Sequence, residues 1–159
     1  MIKQQFQLKN GVTIKNRVVK ASMSEELAER EQHNPTEQYI ELYRRWSSSG
    51  AGLLLSGNMM VDRRYTAEPR NLVIDELSDA NTFKRLAAMG RQNGTHFWVQ
   101  LHHPGRQVAK AFALQPLAPS EIPMKHGLRL VYNKPKAMSE AQIYEVIANI
   151  HHVWLNACD

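Results

Sequence analysis

The sequence predicts one parallel α/β domain preceded by a β-hairpin. Three observations carry the prediction. Short apolar strands alternate with amphipathic helices. Gly52-Leu53-Leu54-Leu55 is a continuous apolar run, as a parallel strand covered on both faces requires. An alternating segment folds back around Asn10-Gly11 before the first parallel strand. With 159 residues, 43% of them hydrophobic and 22% charged, the chain can bury a core without disulfides or a structural metal.

The elements follow in order. Phe6-Gln7-Leu8 and Val12-Thr13-Ile14 alternate apolar and polar residues about Asn10-Gly11, a pair suited to a type I′ turn. Arg17 to Ser22 reads as a strand that ends in the small-residue loop Ser22-Met23-Ser24. For the first helix, Asn34 is the expected cap, Pro35 the first helical residue, and Glu37 a favourable charge in the first turn. Tyr39, Leu42, Tyr43 and Trp46 form its apolar stripe, and Gly50 should end it. The strand at Leu53 to Leu55 comes next, and after a polar loop through Asp62-Arg63-Arg64, Ser78 or Asp79 opens a second helix carrying Phe83, Leu86 and Ala87. Asn93-Gly94 stops it. Phe97 to Leu101 is the third strand. From His102 to Lys136 five prolines imply a long surface segment. Ser139 and Gln142 form a capping box for the last helix, Met138 is placed to staple to Ile143, and Val146, Ile147, Ile150 and Trp154 continue the apolar face.

Composition limits the function classes. A net charge of +5 invites a nucleic-acid partner, but the basic residues come as separated pairs (Arg44-Arg45, Arg63-Arg64, Lys84-Arg85) with no basic run, so no nucleic-acid partner is expected. The single cysteine, Cys158, cannot form an internal disulfide, which fits a reducing compartment. The N-terminus has no signal-peptide core, and the longest aliphatic run is far below spanning length, so a cytoplasmic protein with no membrane contact is expected. His102-His103 and His151-His152 are adjacent pairs whose side chains diverge, so no metal site is expected.

In a parallel α/β fold the ligand lies at the C-terminal ends of the strands. Three segments stand there: Ala21-Ser22-Met23-Ser24, Ser56-Gly57-Asn58, and Gln100 with His102 to Arg106. Small residues let a flat ligand approach the backbone, and Ser, Asn and Gln offer uncharged donors and acceptors, a set suited to a neutral heteroaromatic ring. Periodicity alone leaves an open doubly wound sheet and part of a (β/α)8 barrel both standing. No G-x-G-x-x-G or P-loop follows any strand, which counts against the usual nucleotide-binding open sheets.

Val18 to Met23, Gly50 to Asp62 and Gln100 to Arg106 resemble, in order and spacing, the old yellow enzyme family of FMN-dependent NADH:flavin oxidoreductases, above all its dienoyl-CoA-reductase-like branch. Pro116 to Ser120 and the Met138-Ser139 helix start add to the likeness. The resemblance implies the N-terminal part of a (β/α)8 TIM barrel: a hairpin cap at 6–14 and the first three β/α units at 17–159 of one FMN-binding domain. It implies that Ala21, Ser22 and Met23 line the flavin, that Ser24 and Asn58 meet its C4-oxygen edge, and that Gln100 holds the pyrimidine end. The implied reaction passes hydride from NADH or NADPH through FMN to an activated alkene, a small-molecule substrate.

The departures are equally specific. Glu25 and Glu26 stand where some branches carry an aromatic substrate-facing residue, and the better reading of both is a solvated loop. The family's paired His or His/Asn, its tyrosine proton donor and its phosphate clamp belong to later strands, so catalytic residues are expected beyond Asp159. A closed barrel needs about 250 residues, so the chain resembles the front part of such an enzyme. It is then expected to be inactive alone and to self-associate or to be complemented by a C-terminal half. The rival reading is a non-catalytic half-barrel remnant or binding module. Arg106 reads as a structural ion-pair partner, and Met59-Met60 as core.

Overall fold

The organising element is one long central strand. The computed structural model describes residues 1–112 and 115–156, so Cys158 and the Trp154 side chain lie outside its described part. Two short strands, β1 (Phe6–Gln7) and β2 (Thr13–Ile14), pair antiparallel with Phe6 opposite Ile14. Their turn is not type I′. Gly11 has φ +88° while Asn10 stays out of the left-handed region, and the Leu8 carbonyl accepts from Gly11 N at 3.0 Å. This is a type I turn closed by a left-handed glycine, in which Asn10 contributes its Oδ1 to Val12 N at 3.2 Å.

The main sheet consists of β3 (Val19–Lys20), β4 (Leu53–Met60), β5 (Leu72–Val73) and β6 (His96–His102). All pair parallel to β4: β3 at Leu53 and Leu54, β5 at Met59 and Met60, and β6 along the full length of β4. The expected strand at 17–22 is thus only two residues long, and β5, hidden in what reads as polar loop, was not expected. Helix α1 (Glu37–Ser47) follows β3, and α2 (Ala80–Gly90) follows β5. Thr36, not Asn34, caps α1, accepting from Tyr39 N at 3.2 Å. Asn34 instead gives its Oδ1 to Asp79 N at 2.9 Å, tying the approach of α1 to the cap residue of α2. The helices pack on β4 around Tyr39, Ile40, Tyr43, Leu54, Met59, Leu72 and Leu86, with Phe97 and Leu101 of β6 against the same cluster. Of the expected α1 stripe, Tyr39 and Tyr43 are core, Trp46 packs half-buried against it, and Leu42 is half-buried with Ile40 in the core instead; Met59 and Met60 are core as expected.

The hairpin closes the N-terminal end of this sheet. The His96 ring bonds the Thr13 carbonyl at 3.0 Å, and Lys15 Nζ donates to the Asn93 carbonyl at 2.7 Å and to Thr95 Oγ1 at 2.9 Å. The opposite end, where the strand-to-helix loops emerge, is left for a ligand.

The segment after β6 is more ordered than its prolines suggest. It holds two strands, β7 (Leu117–Ala118) and β8 (Lys136–Ala137), paired parallel, and a 3-10 turn at His126–Leu130. Helix α3 (Glu140–Asn156) begins with the predicted capping box: Gln142 Oε1 accepts Ser139 N at 2.9 Å, and Ser139 Oγ accepts Gln142 N at 3.3 Å. Its apolar stripe is not core: Tyr144 is 62% and Ile147 55% exposed, while Val153 is buried. On the sheet, Trp98 of β6 is likewise 41% exposed.

Candidate functional site

A bulge in β4 builds the site. Leu55 pairs with Trp98 and Asn58 with Gln100, so Ser56 and Gly57 together oppose Val99. Ser56 Oγ repairs the interrupted ladder by accepting Gln100 N at 2.9 Å. Beyond the bulge the two amides lie side by side, with Gln100 Nε2 donating to Asn58 Oδ1 at 2.8 Å. Asn58 Nδ2 donates to Ser24 Oγ at 3.3 Å, and Ser24 donates onward to Glu68 Oε2 at 3.1 Å. Asn71 fixes Glu68 by donating Nδ2 to Oε2 at 2.8 Å and accepting Glu68 N on Oδ1 at 2.7 Å. A line of neutral polar groups, ended by one carboxylate, therefore crosses the C-terminal ends of three adjacent parallel strands.

Of the residues expected at a site, Ser24, Asn58 and Gln100 are brought together. Ala21, Ser22 and Met23 stand on the extended run after β3, with Ala21 and Met23 exposed and Ser22 half-buried, and they take no part in the line. Glu68 and Asn71 were missed, and no spacing signal in the 62–71 loop distinguishes them from ordinary turn residues.

Glu25 is the main correction. Glu26 is exposed, but the Glu25 side chain is only 4% exposed and pairs with Lys20 at 3.0 Å, itself 11% exposed. Glu25 also accepts from Tyr39 Oη at 2.6 Å and Tyr43 Oη at 2.7 Å. Burial, reinforced by the neighbouring hydroxyl and carboxylate, pushes the Tyr39 phenol far above its ordinary value; burial and the Glu25 charge do the same to Tyr43. Both therefore stay protonated and donate. Tyr43 Oη in turn accepts Gly57 N at 3.2 Å, and Lys20 Nζ bonds the Leu55 carbonyl at 3.0 Å. A Cβ on Gly57 would collide with the Met23 carbonyl and with Glu25 Oε2. This buried cluster clamps the Met23 to Glu25 segment against the bulge, and so fixes Ser24 relative to Asn58.

His102 ends β6 and His103 follows it. Burial lowers both His102 and His103 below the ordinary imidazole value, and His103 Nδ1 accepts Gly105 N at 3.2 Å. Arg106 makes no ion pair among the described residues. It reaches the Ile122 and Pro123 carbonyls, each at 3.4 Å.

The line fits the edge of a flavin. That edge is an imide N–H between two carbonyls, and it needs an acceptor beside donors. Gln100 Oε1 has no hydrogen-bond partner among the described residues, while its Nε2 has spent one hydrogen on Asn58 and keeps another.

A parallel sheet covered by helices, with a polar line at its strand ends, defines an α/β protein of the class that binds ligands at the C-terminal ends of its strands. The NADH:flavin oxidoreductase / NADH oxidase family matches residues 4–153, and the chain belongs to it. It is 36% identical over 141 residues to the NADH-dependent flavin oxidoreductase iliE of Hypocrea jecorina (strain QM6a), covering 83% of this chain and 34% of that protein. It is 30% identical over 151 residues to nadA of Aspergillus parasiticus, an NADH-dependent flavin oxidoreductase, covering 86% of this chain and 34% of that protein. Among solved structures, morphinone reductase superposes with a TM-score of 0.83 at 18% identity, covering 98% of this chain and 44% of that one. The old yellow enzyme homologue from Zymomonas mobilis superposes with a TM-score of 0.76 at 21% identity, covering 93% of this chain and 42% of that one, so the chain has the fold of part of an old yellow enzyme TIM barrel; it spans about a third of the length of these curated relatives. Among the described residues no helix is long and apolar enough to cross a membrane.

Proposed function

We propose that the chain supplies the hairpin cap (6–14) and the first three β/α units (17–159) of a single FMN-binding barrel. This barrel, in a cytoplasmic setting, would carry hydride from NADH or NADPH to an activated alkene of the enone or enoyl type. Bound flavin would supply the redox chemistry, and the protein would supply orientation and polarity. Gln100 offers Oε1 to the imide N–H and its remaining amide hydrogen to a flanking carbonyl. Asn58 and Ser24 hold the polar edge beside it, and Glu68 accepts the Ser24 hydroxyl hydrogen. Ala21, Ser22 and Met23 give a low shelf over which a flat ring can meet main-chain groups. The carrying observation is the unbroken Gln100–Asn58–Ser24 line across three strand ends.

The test is FMN titration by fluorescence quenching, with NADH oxidation assayed in the presence and absence of an enone. Gln100→Leu should weaken FMN by about 1 to 3 kcal/mol, since a half-buried amide at the strand end loses its partner on the ring. Unchanged affinity removes Gln100 from the site. A second reading, a non-catalytic half-barrel module, is favoured by the exposed apolar stripe of α3 and the uncovered Trp98. It requires a protein that binds partner polypeptide or self-associates but oxidises no NADH with FMN present.

A further inference from the structure

A groove of about 520 Å3 is formed where the loops following β3, β4 and β6 converge. Arg30 and His33 enter it from the first loop, Arg63, Arg64 and Arg70 from the second, and Phe112 from the third. None of its lining residues is acidic. Three of the guanidiniums are gripped along one edge. Arg63 gives Nε and Nη2 to Asp75 at 2.7 and 2.8 Å, and Arg64 gives the same two nitrogens to Asp62 at 2.9 and 2.6 Å, its Nη2 also reaching Glu145 at 2.7 Å. Arg70 gives Nε to the Ala28 carbonyl at 2.7 Å and Nη2 to the Leu27 carbonyl at 3.2 Å. In each the Nη1 group has no hydrogen-bond partner among the described residues.

The charges are unequal. Carbonyls orient Arg70 without neutralising it, and Arg30 has no ion pair among the described residues. The groove therefore carries Arg30 and Arg70, which make no ion pair among the described residues, beside Arg63, whose charge is shared with Asp75, and Arg64, whose charge is shared with both Asp62 and Glu145. Its frame is stiff, because the Arg70 carbonyl accepts Ala28 N and the His33 carbonyl accepts Val73 N, both at 3.2 Å. Both wall residues also adopt left-handed backbone, His33 with φ 59° and Arg70 with φ 56°, a conformation that costs energy in non-glycine residues and concentrates at ligand sites. Fixed guanidinium forks lose little freedom on meeting an oxyanion.

We propose that this groove is a pyrophosphate-binding site, holding the diphosphate of a small-molecule ligand. Its volume exceeds what a single phosphate fills, and four guanidiniums offer more donors than one tetrahedral anion can take. Glu68, which bonds Ser24, immediately precedes the groove residues Pro69 and Arg70, so one loop serves both the groove and the amide line. The diphosphate belongs either to a dinucleotide reductant or to a diphosphate-bearing acceptor.

Calorimetric titration of the chain with inorganic pyrophosphate, using orthophosphate as the single-anion control, tests this without any flavin. Pyrophosphate should bind roughly tenfold more tightly than orthophosphate, and less tightly as salt is raised. Arg30→Gln, which removes a side chain that holds no other described residue, should weaken pyrophosphate by roughly tenfold. Arg70→Lys, which keeps the charge but loses the fork, should also weaken it. Displacement of pyrophosphate by NADH assigns the groove to the reductant, and displacement by adenosine diphosphate but not by NADH assigns it to a diphosphate-bearing acceptor. Pyrophosphate binding no tighter than orthophosphate, indifference to Arg30→Gln, or displacement by neither nucleotide overturns the proposal.

Discussion

Replacing Glu25 with glutamine should destabilise the protein far more than a loop substitution does. Glu25 accepts three hydrogen bonds, from Lys20 at 3.0 Å, Tyr39 at 2.6 Å and Tyr43 at 2.7 Å. The uncharged amide leaves the Lys20 ammonium buried without a counter-charge and turns a donor toward groups that themselves donate. Breaking a buried pair by removing one partner costs about 3 to 5 kcal/mol. The lower end applies here, because Lys20 keeps the Leu55 carbonyl at 3.0 Å and the Trp46 ring face at 4.2 Å. Urea unfolding followed by far-UV circular dichroism should therefore show a loss of about 3 kcal/mol at constant slope. The double variant Glu25→Gln/Lys20→Met, which removes both charges, should recover much of that loss. A single-variant loss under about 1 kcal/mol, or a double variant no more stable than the single, would refute the buried clamp.

Ser24→Ala should alter the reduction potential of bound FMN more than stability, since Ser24 links the Glu68 carboxylate to the Asn58 amide at the edge where charge develops; a redox titration matching the parent would misplace Ser24. Gly57→Ala forces the Met23 to Glu25 segment off the bulge and should cost about 1 to 3 kcal/mol in the same urea assay, with weakened FMN binding. The Arg63 hydrogen bond holds the Asp75 carboxyl below its ordinary value of 3.8. Its contribution to stability is thus complete above that value and lost as pH falls through the lower folded value, so Asp75→Asn should flatten the acid limb of the stability curve, and an unchanged limb would show the pair to be inert.

The parallel strands were legible because continuous apolar runs have few other uses, and the last helix because a capping box is local chemistry. What was not legible depended on distant partners. Asn34 and Thr36 are both sound caps, and the choice was made by Asp79, whose amide occupies Asn34. Leu72-Val73 becomes a strand only because β4 runs on to Met60 and offers it a ladder. Beside exposed Glu26, Glu25 reads as solvated until α1 sets Tyr39 and Tyr43 over it. The period of α3 reports an apolar stripe, but not what covers it. Within the site, Ser24, Asn58 and Gln100 stood out as polar residues at strand ends, whereas Glu68 needed the fold of the loop to bring it to Ser24.

The bulge at Ser56-Gly57 also sets the phase of everything beyond it. Leu54 and Met59 are five positions apart, an odd interval that should place them on opposite faces, yet both pack against the helices. The extra residue absorbs the mismatch and lets Asn58 face the same way as Gln100. Deleting one residue here would exchange the oily and polar sides of the second half of β4, driving an amide into the helix interface and a thioether into the ligand's path. A change in the length of this segment should therefore reach further along β4 than any single side-chain substitution in it.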